Sequence, residues 1–174
     1  MSTTIPVRIL RQLDEAEGYL MLEMPRNALR ILESRPDWPL MTFEASFLKG
    51  EALRCLNRHR EALACLEEAA ALRPDDVAVA PAQGWCYKRT NRLAEAVDAL
   101  ERASRQEPEN ALIHYNLACY WSVAGNAPRA LEELATALRL KPEMRRLIAD
   151  EDDFDRLRGD SAFEGLVNDA APLI

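Results

Sequence analysis

The sequence predicts an all-α protein in which four helix-turn-helix repeats stack one on the next and a C-terminal helical cap closes the stack. Apolar residues make up 48% of the chain and aromatic residues only 6%, a balance that favours helices over strands. A short alanine pattern recurs every 34 residues, and a proline follows three of its copies at a constant distance. With 174 residues the chain is long enough to bury one core without disulfides or metal.

The recurring pattern consists of an alanine, an apolar residue directly after it and a leucine four positions later. The alanines are Ala28, Ala62, Ala96 and Ala130, and the leucines are Leu32, Leu66, Leu100 and Leu134. Twelve positions before these alanines stand the small residues Ala16, Gly50, Gly84 and Ala118. Because the distance between packed helices depends on the side chains at their contact, we expect a close helix–helix approach at these positions.

Prolines and turn residues predict where the helices end. The second helix of repeats two, three and four is expected to end before Pro74, Pro108 and Pro142, because proline has no backbone N–H to donate. The first helices are expected to end near Glu23, Asn57, Asn91 and Gly125. Side-chain oxygens of Asp75, Asp76 and Asn110 are expected to cap the first helix that follows them.

Two places depart from the regular pattern. In repeat one, Arg35 replaces the late alanine, and Pro36 predicts a shortened second helix. In repeat three, Pro81 lies within the expected first helix, so that helix is expected to begin near Val79 or Ala80, which places the proline in its first turn.

This pattern resembles the tetratricopeptide repeat over residues 9–144. The resemblance implies a right-handed α-α superhelix and a single domain, 1–174. It divides the chain into repeats 9–42, 43–76, 77–110 and 111–144, with a cap at 145–174. Members of the family commonly hold a peptide or a helix of a partner protein in the concave groove that the first helices line.

The end of the chain is expected to cover the last repeat, because a stacked array leaves an apolar face at each end. Asp160 is expected to cap a helix over 161–167. The residues expected to pack over the last helix pair are Phe154, Leu157, Phe163, Leu166 and Val167. The acidic run from Asp150 lacks the glycine and the glutamate of a calcium-binding loop, so no metal site is predicted.

By the resemblance, the groove positions are the second, fifth, ninth, twelfth and thirteenth of each repeat. The candidate partner-binding residues at these positions are Leu13, Glu17, Phe47, Glu51, Arg54, Trp85, Lys88, Arg89, Tyr115 and Cys119. Trp85 is the most informative of them, because the repeat needs no aromatic side chain there for packing. Aromatic residues flanked by Arg and Lys are typical of the centre of a protein interface. The alternative is that the C-terminal segment or a tighter superhelix covers these residues.

Other classes of function are disfavoured. The net charge of −7 argues against nucleic-acid partners, and no apolar stretch approaches the about 18 residues of a membrane span. The four cysteines form no C-x-x-C pair and have no His at ligand spacing, so we expect buried reduced thiols and no cofactor. Residues 1–10 contain no long apolar run, and with no membrane span we expect a cytoplasmic location. His59 and His114 have no nucleophile at a catalytic spacing, and with no nucleotide-binding or hydrolase motif the chain is not expected to be an enzyme.

Three protein-binding hypotheses follow from the resemblance. The first is an adaptor or scaffold that holds a peptide or helix of another protein in the groove, and the second is a scaffold that assembles into a homo-oligomer. The third is a chaperone of the type III secretion translocator class, by analogy of fold alone. The lysine and asparagine clamp with which some members grip a terminal carboxylate is absent, because Leu13, Glu17 and Leu48 stand in its places.

Overall fold

A computed structural model describes residues 5–168, and every regular element in that range is a helix. The chain divides into two compact units, with the boundary between Asn91 and Arg92. Each unit has its own packed core, and the candidate site residues are distributed between the two.

Between residues 5 and 91 the first unit contains five helices: α1 (Val7–Met21), α2 (Pro25–Leu32), α3 (Thr42–Cys55), α4 (His59–Leu72) and α5 (Val79–Arg89). Helix α1 packs against α2, and α3 packs against α4. The first helices are also neighbours, since α3 contacts both α1 and α5. This arrangement places the predicted groove residues of repeats two and three on adjacent helices.

The second unit contains α6 (Leu93–Gln106), α7 (Ala111–Val123), α8 (Ala127–Leu140), α9 (Arg145–Ile148) and α10 (Ser161–Asn168), together with short 3-10 helices at Pro142–Met144 and Asp152–Leu157. Helices α7 and α8 form a tightly packed pair. The 3-10 helix Asp152–Leu157 packs against α7, and α10 packs against α8.

The 34-residue pattern forms the interior of both units. Ala28, Ala62, Ala96 and Ala130 have no exposed surface, and the leucines four positions later are buried as well. At Gly50 the approach of α3 to α4 is so close that an added Cβ would lie 2.6 Å from Leu66 Cγ. The small residue is therefore required by the packing of the helix pair, as the sequence predicted.

Two residues after the end of each first helix lies a residue with left-handed backbone conformation. The φ values are 56° at Glu23, 59° at Asn57, 62° at Asn91 and 79° at Gly125, at the predicted 34-residue interval. Asn110 caps α7, since its side-chain oxygen accepts the N–H groups of Leu112 and Ile113. These observations confirm the predicted helix ends and this cap.

Helix α5 begins at Val79 with Pro81 in its first turn, as predicted. Asp76 does not cap it, because its carboxylate accepts the N–H of Ala78, in the turn before the helix starts. The expectation of a direct cap at Asp76 was wrong, because the late start that Pro81 permits leaves the carboxylate too far from the first helical turn.

Repeat one has the shortened second helix that Pro36 predicted: α2 has 8 residues, whereas α4 has 14. Trp38 follows the proline and folds back, so that its indole Nε1 donates to the Leu32 carbonyl oxygen at 3.2 Å. The buried indole satisfies one of the carbonyls at the end of α2 that lack an intrahelical partner.

The C-terminal segment forms the predicted cap. Phe154, Leu157 and Phe163 are buried, and Leu166 and Val167 are half-buried. Asp160 caps α10 by accepting the N–H groups of Ala162 and Phe163. The final residues of the predicted cap, 169–174, lie outside the described residues.

Candidate partner-binding face

Six of the ten predicted groove residues lie on two neighbouring helices of the first unit. We call this surface the α3–α5 face; it consists of Phe47, Glu51 and Arg54 on α3 and Trp85, Lys88 and Arg89 on α5. All are half-buried except Arg89, which is exposed. Residues three and four positions apart lie on one side of a helix, so each set of three points in a common direction.

Trp85 lies at the centre of the α5 part of this face. The guanidinium carbon of Arg89 lies 4.6 Å from the centroid of its ring system, and the Lys88 ammonium lies 5.2 Å away. Cations at these distances are attracted to the negative face of the indole. The aromatic ring and the two cations therefore form one local cluster on a single helix.

Arg54 is held in place on α3 by a two-point contact with Glu51. Its Nε and Nη2 donate to the two carboxylate oxygens at 3.0 and 2.8 Å. The hydrogen bond from this carboxylate raises the pKa of Arg54 above its usual value. The pair fixes the position of a planar donor group that reaches the surface.

The pKa of His59, the first residue of α4, is affected by the positive charges of this region. Burial lowers the pKa of His59, and the charges of Arg89 and Arg54 lower it further. Its Nδ1 is buried and has no hydrogen-bond partner among the described residues. The two arginines, one from α3 and one from α5, therefore act on the same imidazole.

Phe47 supplies a second aromatic ring to the face. Its ring is stacked on that of Phe43, with centroids 6.2 Å apart and an angle of 12° between the planes. The Arg73 guanidinium in turn lies 4.0 Å from the centroid of Phe43. This stack supports Phe47 from within α3 and leaves part of its surface exposed.

The two predicted groove residues on α1 differ in their exposure to solvent. Glu17 is exposed, whereas Leu13 is only 5% exposed and belongs to the core of the first unit. The expectation that Leu13 faces a partner is wrong, because an apolar side chain on α1 that is this deeply buried belongs to the packed interior of the first unit.

The two candidates in the second unit are covered by the chain itself. Tyr115 is 4% exposed and Cys119 is 2% exposed, because the segment Asp152–Leu157 lies against α7. The Phe154 ring meets the Tyr115 ring edge-on at 5.7 Å between centroids. A partner would reach Tyr115 or Cys119 only if this segment moved away.

A polar cluster lies beneath the same segment. Donor atoms of Cys119, Glu151 and Asp153 all lie within 4.8 Å of one another. Burial raises the pKa of Tyr115, and the nearby carboxylates of Glu151 and Asp153 raise it further. One thiol and two carboxylates are donors that Zn²⁺ accepts, so a metal ion would find ligands here. Glu151 also accepts the Asp153 N–H. The absence of a metal at this cluster stays our prediction.

All four cysteines are free thiols, but they are not equally buried. Cys86 and Cys119 are buried, Cys65 is half-buried and Cys55 is exposed on α3. Burial raises the pKa of Cys86 to about 11, which keeps this thiol protonated at neutral pH. The expectation of buried thiols is therefore wrong for Cys55, which lies at the exposed end of its helix.

His114 has a structural environment. Its Nδ1 lies 2.6 Å from a carboxylate oxygen of Glu133 on α8, and its Nε2 lies 2.9 Å from the Pro108 carbonyl oxygen. Both ring nitrogens are thus engaged in joining α7 to its surroundings.

Within residues 5–168, none of the helices combines the length and the apolar character that a membrane span needs.

Helix pairs repeated every 34 residues define the chain as a helical-repeat protein. The family model described as Psidin, N-terminal TPR repeats region, matches residues 26–139. The chain belongs to the tetratricopeptide-repeat family. No curated protein matches the sequence.

Solved structures show the same fold. The MamA fragment 41-end from Desulfovibrio magneticus RS-1 is 18% identical, with a TM-score of 0.74 over 94% of this chain and 95% of that one. A MamA structure labelled MSR-1 is 20% identical, with a TM-score of 0.71 over 92% and 95%. YrrB, described as a TPR protein with an unusual peptide-binding site, is 24% identical, with a TM-score of 0.71 over 82% and 74%. These likenesses confirm the predicted fold; the count of four repeats and their boundaries stay predictions.

Proposed function

We propose that this protein is a non-catalytic adaptor or scaffold that holds a peptide or a helix of another protein against the α3–α5 face. The observation that carries the proposal is Trp85, a half-buried indole flanked by Arg89 and Lys88 on the first helix of repeat three. Trp and Arg are the residues that contribute most often to the binding energy of protein interfaces.

The packing of the face supports the same function. Glu51 fixes the guanidinium of Arg54, and Phe43 supports the ring of Phe47. Side chains that are already held in place lose less conformational entropy when a partner binds. The fold of YrrB, whose description includes a peptide-binding site, is a further precedent. The reduced thiols favour a cytoplasmic location, and the net charge of −7 disfavours nucleic-acid partners.

The proposal predicts that Trp85→Ala abolishes capture of a partner from lysate of the source cells while helicity stays unchanged. Loss of a central aromatic contact costs about 2 kcal/mol or more, which corresponds to roughly a 30-fold loss of affinity. Capture is measured by affinity pulldown with quantitative mass spectrometry, and helicity by circular dichroism.

Trp121→Ala is the matched control for this experiment. Trp121 is also half-buried beside a cation, with Arg129 at 5.5 Å from its ring, but it lies on α7 of the second unit. Capture that survives Trp85→Ala, or that both variants reduce equally, contradicts binding at the α3–α5 face.

A second candidate function is self-assembly, and exposed apolar residues around α1 favour it. These residues are Val7, Leu10, Met21, Leu22 and Met24, of which Met21 is 77% exposed and Leu22 69%. Met21, Leu22 and Met24 lie close together at the end of α1, and a patch of exposed apolar residues marks an association site in soluble proteins. Light scattering distinguishes this candidate, because the mass of a self-assembling scaffold rises with protein concentration.

A further inference from the structure

We propose that the α3–α5 face binds a short acidic segment with an aromatic side chain near its centre. This inference rests on the proposed function and specifies the chemistry of the partner. Two observations support it. Residues 151–157 form an acidic segment with a central phenylalanine that already packs on α7, and the α3–α5 face has the complementary charge.

The seated segment is the stretch 151–157, which reads EDDFDRL. Its Phe154 has no exposed surface and meets the ring of Tyr115 edge-on. Its Arg156 donates through Nη1 to the Val123 carbonyl oxygen at 3.0 Å, at the end of α7. An acidic segment is therefore held by one aromatic contact and one backbone contact on a first helix of the repeat.

The repeat relates this seat to the α3–α5 face. Tyr115, Cys119 and Val123 are the fifth, ninth and thirteenth residues of repeat four. The same positions hold Phe47, Glu51 and Cys55 in repeat two, and Pro81, Trp85 and Arg89 in repeat three. The positions that the segment covers on α7 therefore correspond to the positions of both aromatic residues of the α3–α5 face, Phe47 on α3 and Trp85 on α5.

Charge distinguishes the two surfaces. At the twelfth and thirteenth positions α7 carries Ser122 and Val123, whereas α5 carries Lys88 and Arg89. Arg89 is exposed and has no carboxylate partner among the described residues, although its guanidinium lies over Trp85. A chain with a net charge of −7 therefore presents a cation where a ligand would lie. Complementary charge favours acidic ligands and disfavours basic ones.

The aromatic requirement follows from the rings on the face. Trp85 and Phe47 are half-buried, so part of each ring is available to a ligand. Aromatic rings prefer edge-to-face or offset contacts, and such pairs add to the energy of apolar burial. A ligand aromatic side chain would contact these rings as Phe154 contacts Tyr115, while its flanking carboxylates approach Arg89.

The test uses the chain's own acidic segment as the probe. A fluorescent peptide of residues 150–158, DEDDFDRLR, is blocked at both ends and titrated with the full-length protein, and its anisotropy is measured. We expect binding that weakens with salt, because exposed charges are screened. We expect at least a 10-fold loss of affinity for Arg89→Glu and for Trp85→Ala, and a similar loss when the peptide phenylalanine is replaced by alanine.

Two controls make the result specific. Arg105→Glu reverses the charge of an exposed arginine on α6 and should leave the affinity unchanged. A peptide in which lysines replace the acidic residues should not bind. The proposal is overturned if no peptide binds, if the lysine peptide binds as well, or if Arg89→Glu has no effect. Binding that changes only in Tyr115→Ala also overturns it, because the peptide would then be displacing the cap from α7.

His59 provides a second readout in the same samples. Bound carboxylates offset the charges of Arg89 and Arg54, so the pKa of His59 should rise on addition of the acidic peptide, as followed by proton NMR. By linkage the peptide should bind more tightly as the pH falls through that pKa.

Failure of this inference can be distinguished from failure of the proposed function. If lysate capture is lost in Trp85→Ala but not in Arg89→Glu, the adaptor function stands and the acidic chemistry is wrong. If neither variant affects capture, both proposals fail.

Discussion

At the scale of single residues, the turns inside the repeats show where the sequence fits its backbone and where it does not. Asn57, Asn91 and Gly125 are residue types that tolerate positive φ, but repeat one has Glu23 at the equivalent place, with φ of 56°. A left-handed conformation costs a side-chain-bearing residue roughly 1–2 kcal/mol. The turn of repeat one is therefore strained at Glu23, whereas the equivalent turns of the other repeats avoid this strain with asparagine or glycine.

We predict that Glu23→Gly raises the free energy of unfolding by about 1 kcal/mol, because glycine adopts positive φ without strain. Urea denaturation followed by circular dichroism measures the change. Glu15→Gly is the control, since Glu15 is exposed inside α1 and its replacement should lower stability by about 1 kcal/mol. Two changes of the same sign would disprove the strain at Glu23.

At the scale of helices, small residues set the distance between the members of a pair. Gly50 lies on α3 against the buried side chain of Leu66, whereas an added Cβ at Gly18, inside α1, would meet no atom within 4 Å. The two glycines have the same intrinsic cost in a helix but opposite packing environments.

We predict that Gly50→Ala lowers the free energy of unfolding by about 1–3 kcal/mol, because the new methyl group overlaps Leu66 in a filled core. Gly18→Ala should instead raise it by up to about 1 kcal/mol through helix propensity alone. Thermal and urea unfolding of the two variants measure both changes. A stabilised Gly50→Ala variant would show that α3 and α4 are less closely packed than described.

The sequence predicted most helix ends because their causes are local. Pro36 ends α2, Pro81 sets the start of α5 and Asn110 caps α7, and each acts within a few residues of its own position. The burial of Tyr115 was not predictable in this way. Its cover comes from Phe154, 39 positions later, and the pattern of repeat four is the same whether or not a segment lies on it.

At the scale of the whole molecule, the C-terminal segment of the chain covers the surface of α7, the first helix of repeat four. Phe154 is fully buried between Tyr115 and Phe163, with ring centroids 5.7 and 5.6 Å away. The C-terminal segment is therefore a packed part of the second unit, whereas the residues of the α3–α5 face belong to the first unit.

We predict that Phe154→Ala lowers the free energy of unfolding by about 3–5 kcal/mol, because a fully buried aromatic ring is lost from the core. Hydrogen exchange should increase in α7, which loses its cover. Leu147→Ala is the control and should cost less than about 1 kcal/mol, since Leu147 is 46% exposed on α9. A loss below about 1 kcal/mol in Phe154→Ala would show that the segment is only loosely attached.

The segment Asp152–Leu157, which covers α7, also determines where further repeats could be added during evolution. A module duplicated within residues 43–110 would leave the contact between the segment Asp152–Leu157 and α7 unchanged. A module appended after Met144 would have to compete with Phe154 and Arg156 for the same helix surface. Internal duplication therefore keeps the segment Asp152–Leu157 on α7, whereas addition of a repeat at the C-terminal side would first have to displace that segment.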